Sequence, residues 1–90
     1  MEVPCDILTR YFERRQRDLD VCRQSLKKHN FVELEKVGHQ LKGNGETFGH
    51  PELSKIGKLL EDAAAICDRP NVEKAVNELS KWVTDHTFAN

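Results

Sequence analysis

Residues 31–67 read FVELEKVGHQLKGNGETF-GH-PELSKIGKLLEDAAAIC. In the first segment, Leu34, Gly38, Leu41, Gly45 and Phe48 recur at steps of four, three, four and three. After Gly49 and His50, Pro51 opens a second segment in which Leu53, Ile56, Leu60, Ala63 and Cys67 recur at three, four, three and four. Steps of three and four place one face of an α-helix against a neighbour at a shallow crossing angle. Proline is favoured in the first turn of a helix, and Gly-His leaves room only for a tight reversal. The stretch predicts two antiparallel helices joined by a short turn.

The flanking sequence continues the pattern. Upstream, after Pro4, the apolar residues Leu8, Phe12, Leu19, Cys22 and Leu26 share a helical stripe that Arg15 interrupts, which predicts looser packing at its start. That helix should end near Lys27, Lys28, His29 and Asn30, where cations complement the helix dipole and Asn can cap. Downstream, Asp68-Arg69-Pro70-Asn71 makes a break, and Val72, Val76, Leu79 and Val83 form a fourth stripe with Ala75 and Trp82 beside it, fraying towards Phe88 and Asn90. No window alternates as a half-buried strand would. The expectation is an all-α, antiparallel up-down-up-down four-helix bundle formed by residues 1–90 as one domain.

Composition narrows the function classes. The 90 residues are 38% hydrophobic and 32% charged with a formal net charge of -1, which suits one small domain with an economical core. No stretch approaches the roughly 18–20 apolar residues of a membrane span. The near-neutral balance argues against broad nucleic-acid binding. Basic groups lead in residues 1–30, acidic groups in 31–68, and the two balance in 69–90. Cys5, Cys22 and Cys67 are odd in number and match no zinc or disulfide spacing. With no secretory pattern at the N-terminus, they indicate a reducing cytoplasm. Cys22 and Cys67 lie on apolar stripes and read as small buried hydrophobes.

The glycines point to chemistry. All five lie between Gly38 and Gly57. A glycine inside a helix costs about 0.8–1 kcal/mol relative to alanine, so Gly38, Gly43 and Gly45 need a reason. Gly38 and Gly45 are on the apolar stripe, where close helix approach supplies one. Gly43 lies about 200° around the helix from Leu41, away from the core. His39 is one turn earlier on that outer face, with Lys42 beside it and Glu46 seven residues on. Imidazole is nucleophilic near neutral pH, and a phosphoryl group on it would add roughly -1.5 to -2 charges. Lys42 could offset that charge, and Gly43 could admit a donor. About the turn, facing positions sum to about 100. That register sets His39 opposite Glu61, Lys42 opposite Lys58 and Gly43 opposite Gly57. Glu61 could then hold the proton on one imidazole nitrogen and leave the other free, Lys58 could add a second cation, and Gly57 could keep the third helix slim.

The run His39-Gln40-Leu41-Lys42-Gly43, followed by Phe48-Gly49 and Gly57-Lys58-Leu59-Leu60-Glu61-Asp62-Ala63, resembles the histidine-containing phosphotransfer (HPt) domain. The hallmark of that family is H-x-L-K-G on the second helix of a four-helix bundle, then a hydrophobic-Gly turn and an L-E-x-A segment. The resemblance spans about Leu8 to Val83. It implies that His39 is the phospho-acceptor, that Lys42 assists, that Gly43 leaves room for a partner, and that Glu61 orients the imidazole as in chemotaxis-kinase members. Gln40 falls within the motif as a supporting position. The implied partners are response-regulator receiver domains and hybrid sensor histidine kinases. Mg²⁺ belongs to the receiver's acidic pocket, and this chain needs no cofactor or metal of its own. Asn44-Gly45-Glu46-Thr47 departs from the small residues usual after the motif glycine, and Glu46 could repel phosphate or select a basic partner.

The expected protein is therefore a monomeric phosphorelay carrier that docks its partner on helices one and two, with Phe31 and Val32 as candidate contacts. It lacks segments for ATP-dependent kinase activity. Met1 and the compact helical limits favour a stand-alone chain. The alternative is a non-catalytic helical adaptor in which His39 is incidental. A metal protein built on His29, His39, His50 and His86 is disfavoured, since no pair has i,i+4 spacing.

Overall fold

Four helices account for the fold: α1 (Cys5–Lys27), α2 (Phe31–Phe48), α3 (Pro51–Ala65) and α4 (Arg69–Thr87). The computed structural model describes the backbone of residues 5–87 and the side chains of residues 9–86. The expectations at Pro4, Cys5, Leu8, Phe88 and Asn90 lie outside those described groups. Each helix packs on its sequence neighbours, and α1 closes the ring against α4. The result is the all-α four-helix bundle that the stripes predict.

The turns are built by specific caps. His29 takes a left-handed φ of 56° after α1, and the Asn30 N–H donates to the Ser25 carbonyl at 2.8 Å. Asn30 thus helps close α1 through its backbone, but the left-handed residue is His29. The Asn30 side chain accepts from the Glu33 N–H and starts α2, because an Asx oxygen suits the free N–H groups of a helix start. Gly49, with φ 74°, ends α2 and donates to Gly45, a conformation that costs a glycine little. Pro51 begins α3 as expected. Asp68 accepts from Asn71 and Val72, so α4 opens at Arg69 within the expected break.

Leu34, Leu41, Leu53, Leu60, Leu79, Val72 and Cys22 are the largest fully buried side chains. Burial of the Cys22 thiol pushes its pKa up to about 12, so it behaves as a small hydrophobe. Cys67 departs from its expected place in the core. α3 stops at Ala65, and Cys67 adopts a left-handed φ of 54° while Asp68 N–H reaches back to the Ala63 carbonyl. That closing turn swings Cys67 off the stripe and leaves it exposed. Phe48 also falls short of the core. It sits in the last turn of α2, half exposed, with Tyr11 against it at a ring-centroid distance of 4.5 Å. Arg15, expected to interrupt the stripe, is instead buried within it, beside Asp18 at 2.8 Å and over the Tyr11 ring at 4.9 Å.

The α2–α3 contact is the closest in the bundle. A Cβ at Gly57 would meet the Lys42 amide nitrogen and lie 2.7 Å from the Gly38 carbonyl oxygen. A Cβ at Gly38 would lie 2.5 Å from the Glu61 amide nitrogen and 2.8 Å from the Gly57 oxygen. Gly45 meets Ser54 and the His50 carbonyl in the same way, and Ser54 Oγ donates to the Lys42 carbonyl at 2.7 Å. Burying Leu34, Leu41, Leu53 and Leu60 contributes roughly 1.5–3 kcal/mol each, more than the three glycines cost at about 1 kcal/mol each. Gly57 therefore does not face Gly43. It belongs to the buried seam, whereas a Cβ at Gly43 would meet nothing within 4 Å.

Substituting these glycines should separate the two roles. Gly57→Ala should lower unfolding free energy by about 1–3 kcal/mol, because two backbones must move apart. Gly43→Ala should raise it by up to about 1 kcal/mol through helix propensity. Urea unfolding followed by circular dichroism measures both, and equal effects would refute the assignment.

Candidate functional site

His39 sits in the middle of α2 on its outer side, with 71% of its side chain exposed. The helix buries Leu34, Val37, Gly38, Leu41 and Gly45, so the imidazole must point away from that face. Glu61 on α3 reaches it because Gly38 and Gly57 allow the two backbones to touch. Glu61 Oε2 lies 2.7 Å from His39 Nδ1, and Glu61 Oε1 lies 3.2 Å from Lys42 Nζ. One carboxylate therefore bridges both groups.

The bridge fixes the chemistry of the ring. Carboxylate oxygens only accept, so Nδ1 carries the proton and donates to Glu61. In the neutral imidazole this leaves the lone pair on Nε2. The Lys42 hydrogen bond leads in holding the Glu61 carboxyl below its ordinary range; burial opposes it, and the His39 bond adds to the lowering. Glu61 is thus an anion that keeps its orienting role through neutral pH. Lys42 is half-buried, with its ammonium tied to that anion rather than free in water.

The remaining expected residues fall into place unevenly. Gly43, one turn beyond His39, is open to solvent. Gln40 is exposed, and its carbonyl accepts from the Asn44 side chain at 2.8 Å. Glu46 is exposed on the same helix. Lys58 does not join the set. Its ammonium pairs with Asp62 at 3.4 Å, one turn along the outer face of α3. The i,i+4 spacing satisfies it locally, so the expected second cation beside His39 is absent among the described residues. Gly57 supports the site from within the seam. Val32 is 82% exposed, while Phe31 packs partly into the core.

The four histidines do not share one site; only His50 and His86 are neighbours, with ring centroids 5.5 Å apart. His29 meets Arg69 at 2.9 Å, His39 meets Glu61, and His50 and His86 pack with Trp82 at one end of the bundle. Among the described residues no group of three or more His, Cys, Asp or Glu side chains could hold a metal ion. No described helix is long and apolar enough to cross a membrane.

Comparison with known proteins agrees with this architecture. A family model described as the Hpt domain matches residues 6–85. No curated protein matches the chain significantly, and neither does any solved structure. The chain belongs to the Hpt domain family. Hpt domains are phosphotransfer carriers, rather than kinases, that work with receiver domains and kinases in two-component phosphorelays.

The acidic bridge makes a pH-dependent prediction. Because the folded-state pKa of Glu61 is depressed, its contribution is present above the unfolded value and is lost as pH falls through the folded one. Glu61→Gln should therefore destabilise the protein near pH 7, and the gap from wild type should close below about pH 4. Chemical unfolding across that range measures it, and a gap independent of pH would show that the bridge carries no net interaction.

Proposed function

We propose that this chain is a phosphorelay carrier whose phospho-acceptor is His39. The observation that carries the reading is the 2.7 Å contact between His39 Nδ1 and Glu61 on a side chain that is otherwise 71% exposed. It directs the lone pair to the nitrogen that a partner can reach.

In this reading a receiver domain presents an aspartyl phosphate to Nε2. The N–P bond forms as the Asp O–P bond breaks, and the aspartate leaves as a carboxylate. The Nδ1 proton stays in the hydrogen bond to Glu61, which stabilises the positive ring as the phosphoryl group arrives. The reverse step returns the group to another receiver. Lys42, within reach of the same carboxylate, offsets the incoming charge of roughly -1.5 to -2. Gly43 leaves the approach clear, and Gln40 and Asn44 form the rim beyond it. Mg²⁺ would be supplied by the receiver, so this domain would need no cofactor of its own, and we place it in the cytoplasm as a monomeric intermediate. A hybrid sensor kinase or a separate response regulator is the partner.

The test is phosphotransfer from a panel of phosphorylated receiver domains. Wild type should acquire an acid-labile, base-stable phosphate, and His39→Gln should acquire none. Lys42→Ala should slow transfer by about tenfold or more while leaving the phosphate on His39. Equal labelling of His39→Gln, or failure of wild type with every receiver of the source organism, would overturn the reading.

A further inference from the structure

Glu46 takes no part in the bridge at His39, yet it stands on the same face. It lies seven residues further along α2, about 10.5 Å along the helix and about 20° around it. Both side chains are exposed. Between them the surface dips at Gly43, where a Cβ would meet nothing within 4 Å. A partner that follows α2 past His39 therefore crosses bare backbone and reaches the Glu46 carboxylate.

This carboxylate has no counter-charge within the bundle. Among the described residues it makes no ion pair or hydrogen bond. One turn away along the chain lie Lys42, Gly43, Gly49 and His50. The Lys42 ammonium is held by Glu61 at 3.2 Å, and the His50 ring packs against Tyr11 and Trp82. The arginines of α1 border Asn44 and Phe48, each about 160° around α2 from Glu46. On the other side of His39, the exposed Glu35 and Lys36 are adjacent and opposite in sign. The unmatched charge of this face is therefore at the Glu46 end.

Distance decides between repelling phosphate and selecting a partner. A phosphoryl group on His39 would lie about one screening length from Glu46 at 0.1 M salt, with Lys42 nearer to it. A docked receiver is affected more. A standard interface covers about 800 Å² on each partner, a patch roughly 30 Å across, so a receiver centred on His39 covers Glu46 as well. Taking a lone carboxylate out of water is unfavourable unless a cation meets it. We propose that Glu46 is a specificity-determining residue, selecting receiver domains that present a lysine or arginine about 10 Å from their phosphorylated aspartate. The proposal rests on the carrier reading of His39 and names the chemistry of its partner.

Transfer kinetics from phosphorylated receivers of the source organism test this. For the preferred receiver, Glu46→Gln should raise KM about tenfold with kcat unchanged, the size of one charge pair across an interface. Raising salt from about 0.1 M to about 1 M shortens the screening length to about 3 Å and should erase most of that difference. Reversing the receiver's facing cation to glutamate should weaken transfer to wild type, and Glu46→Lys should restore it. A fall in kcat shared by every receiver would overturn the proposal, because Glu46 would then act on the phosphate. So would kinetics that neither Glu46 variant changes, or a charge reversal that Glu46→Lys does not rescue. Wild-type labelling separates the two readings. Where His39 is labelled and the Glu46 variants match wild type, only this proposal falls; where no receiver labels wild type, the carrier reading fails and this one with it.

Discussion

The backbone contact between Gly38 and Gly57 sets the distance on which the site depends. Side chains at either position would drive α2 and α3 apart, because the atoms in the way are backbone and cannot rotate aside. With the helices this close, a carboxylate on α3 reaches both the imidazole and the ammonium on α2. A spacing wider by even one methyl group would stretch a 2.7 Å contact past hydrogen-bond range. The seam glycines and the exposed histidine are therefore parts of one arrangement. The first fixes the distance and the second uses it.

Glu61 joins two groups at the surface. Its two carboxylate oxygens accept from the Lys42 ammonium and from His39 Nδ1, so one side chain anchors the cation and selects the ring tautomer. An exposed ion pair contributes little to stability, commonly below about 1 kcal/mol. The value of this one lies in orientation. It holds a mobile side chain in one tautomer while leaving most of it in water.

The α2–α3 hairpin was legible because its information is local. Steps of three and four, Pro51 and Gly49 each specify a feature within a few residues, and the register then brought Glu61 to His39. The same register failed at Gly43 and Gly57, since position along two helices says nothing about which way each residue points around its axis. Lys58 failed for a related reason: a partner one turn away on its own helix satisfied it first. Cys67 was misplaced because periodicity carries no signal for a non-glycine residue in a left-handed closing turn. Arg15 was the hardest. A lone cation in an apolar stripe reads as an interruption, and only the three-dimensional neighbours Tyr11 and Asp18 show it lying in the core.

The bundle thus separates what must stay fixed from what can change charge. Leu34, Leu41, Leu53 and Leu60 are fully buried on the inner faces of α2 and α3, while His39 lies on the outer side of the same turns. A phosphoryl group on Nε2 would enter water and the field of Lys42 without crossing the core. Its charge would be strong near the surface and screened beyond about 10 Å at moderate salt. On the proposed reading, such a carrier would need no conformational change to register its load. A docked partner would sense the phosphate directly, and the close backbone contact at the glycine seam would keep Nε2 in the same place in both states.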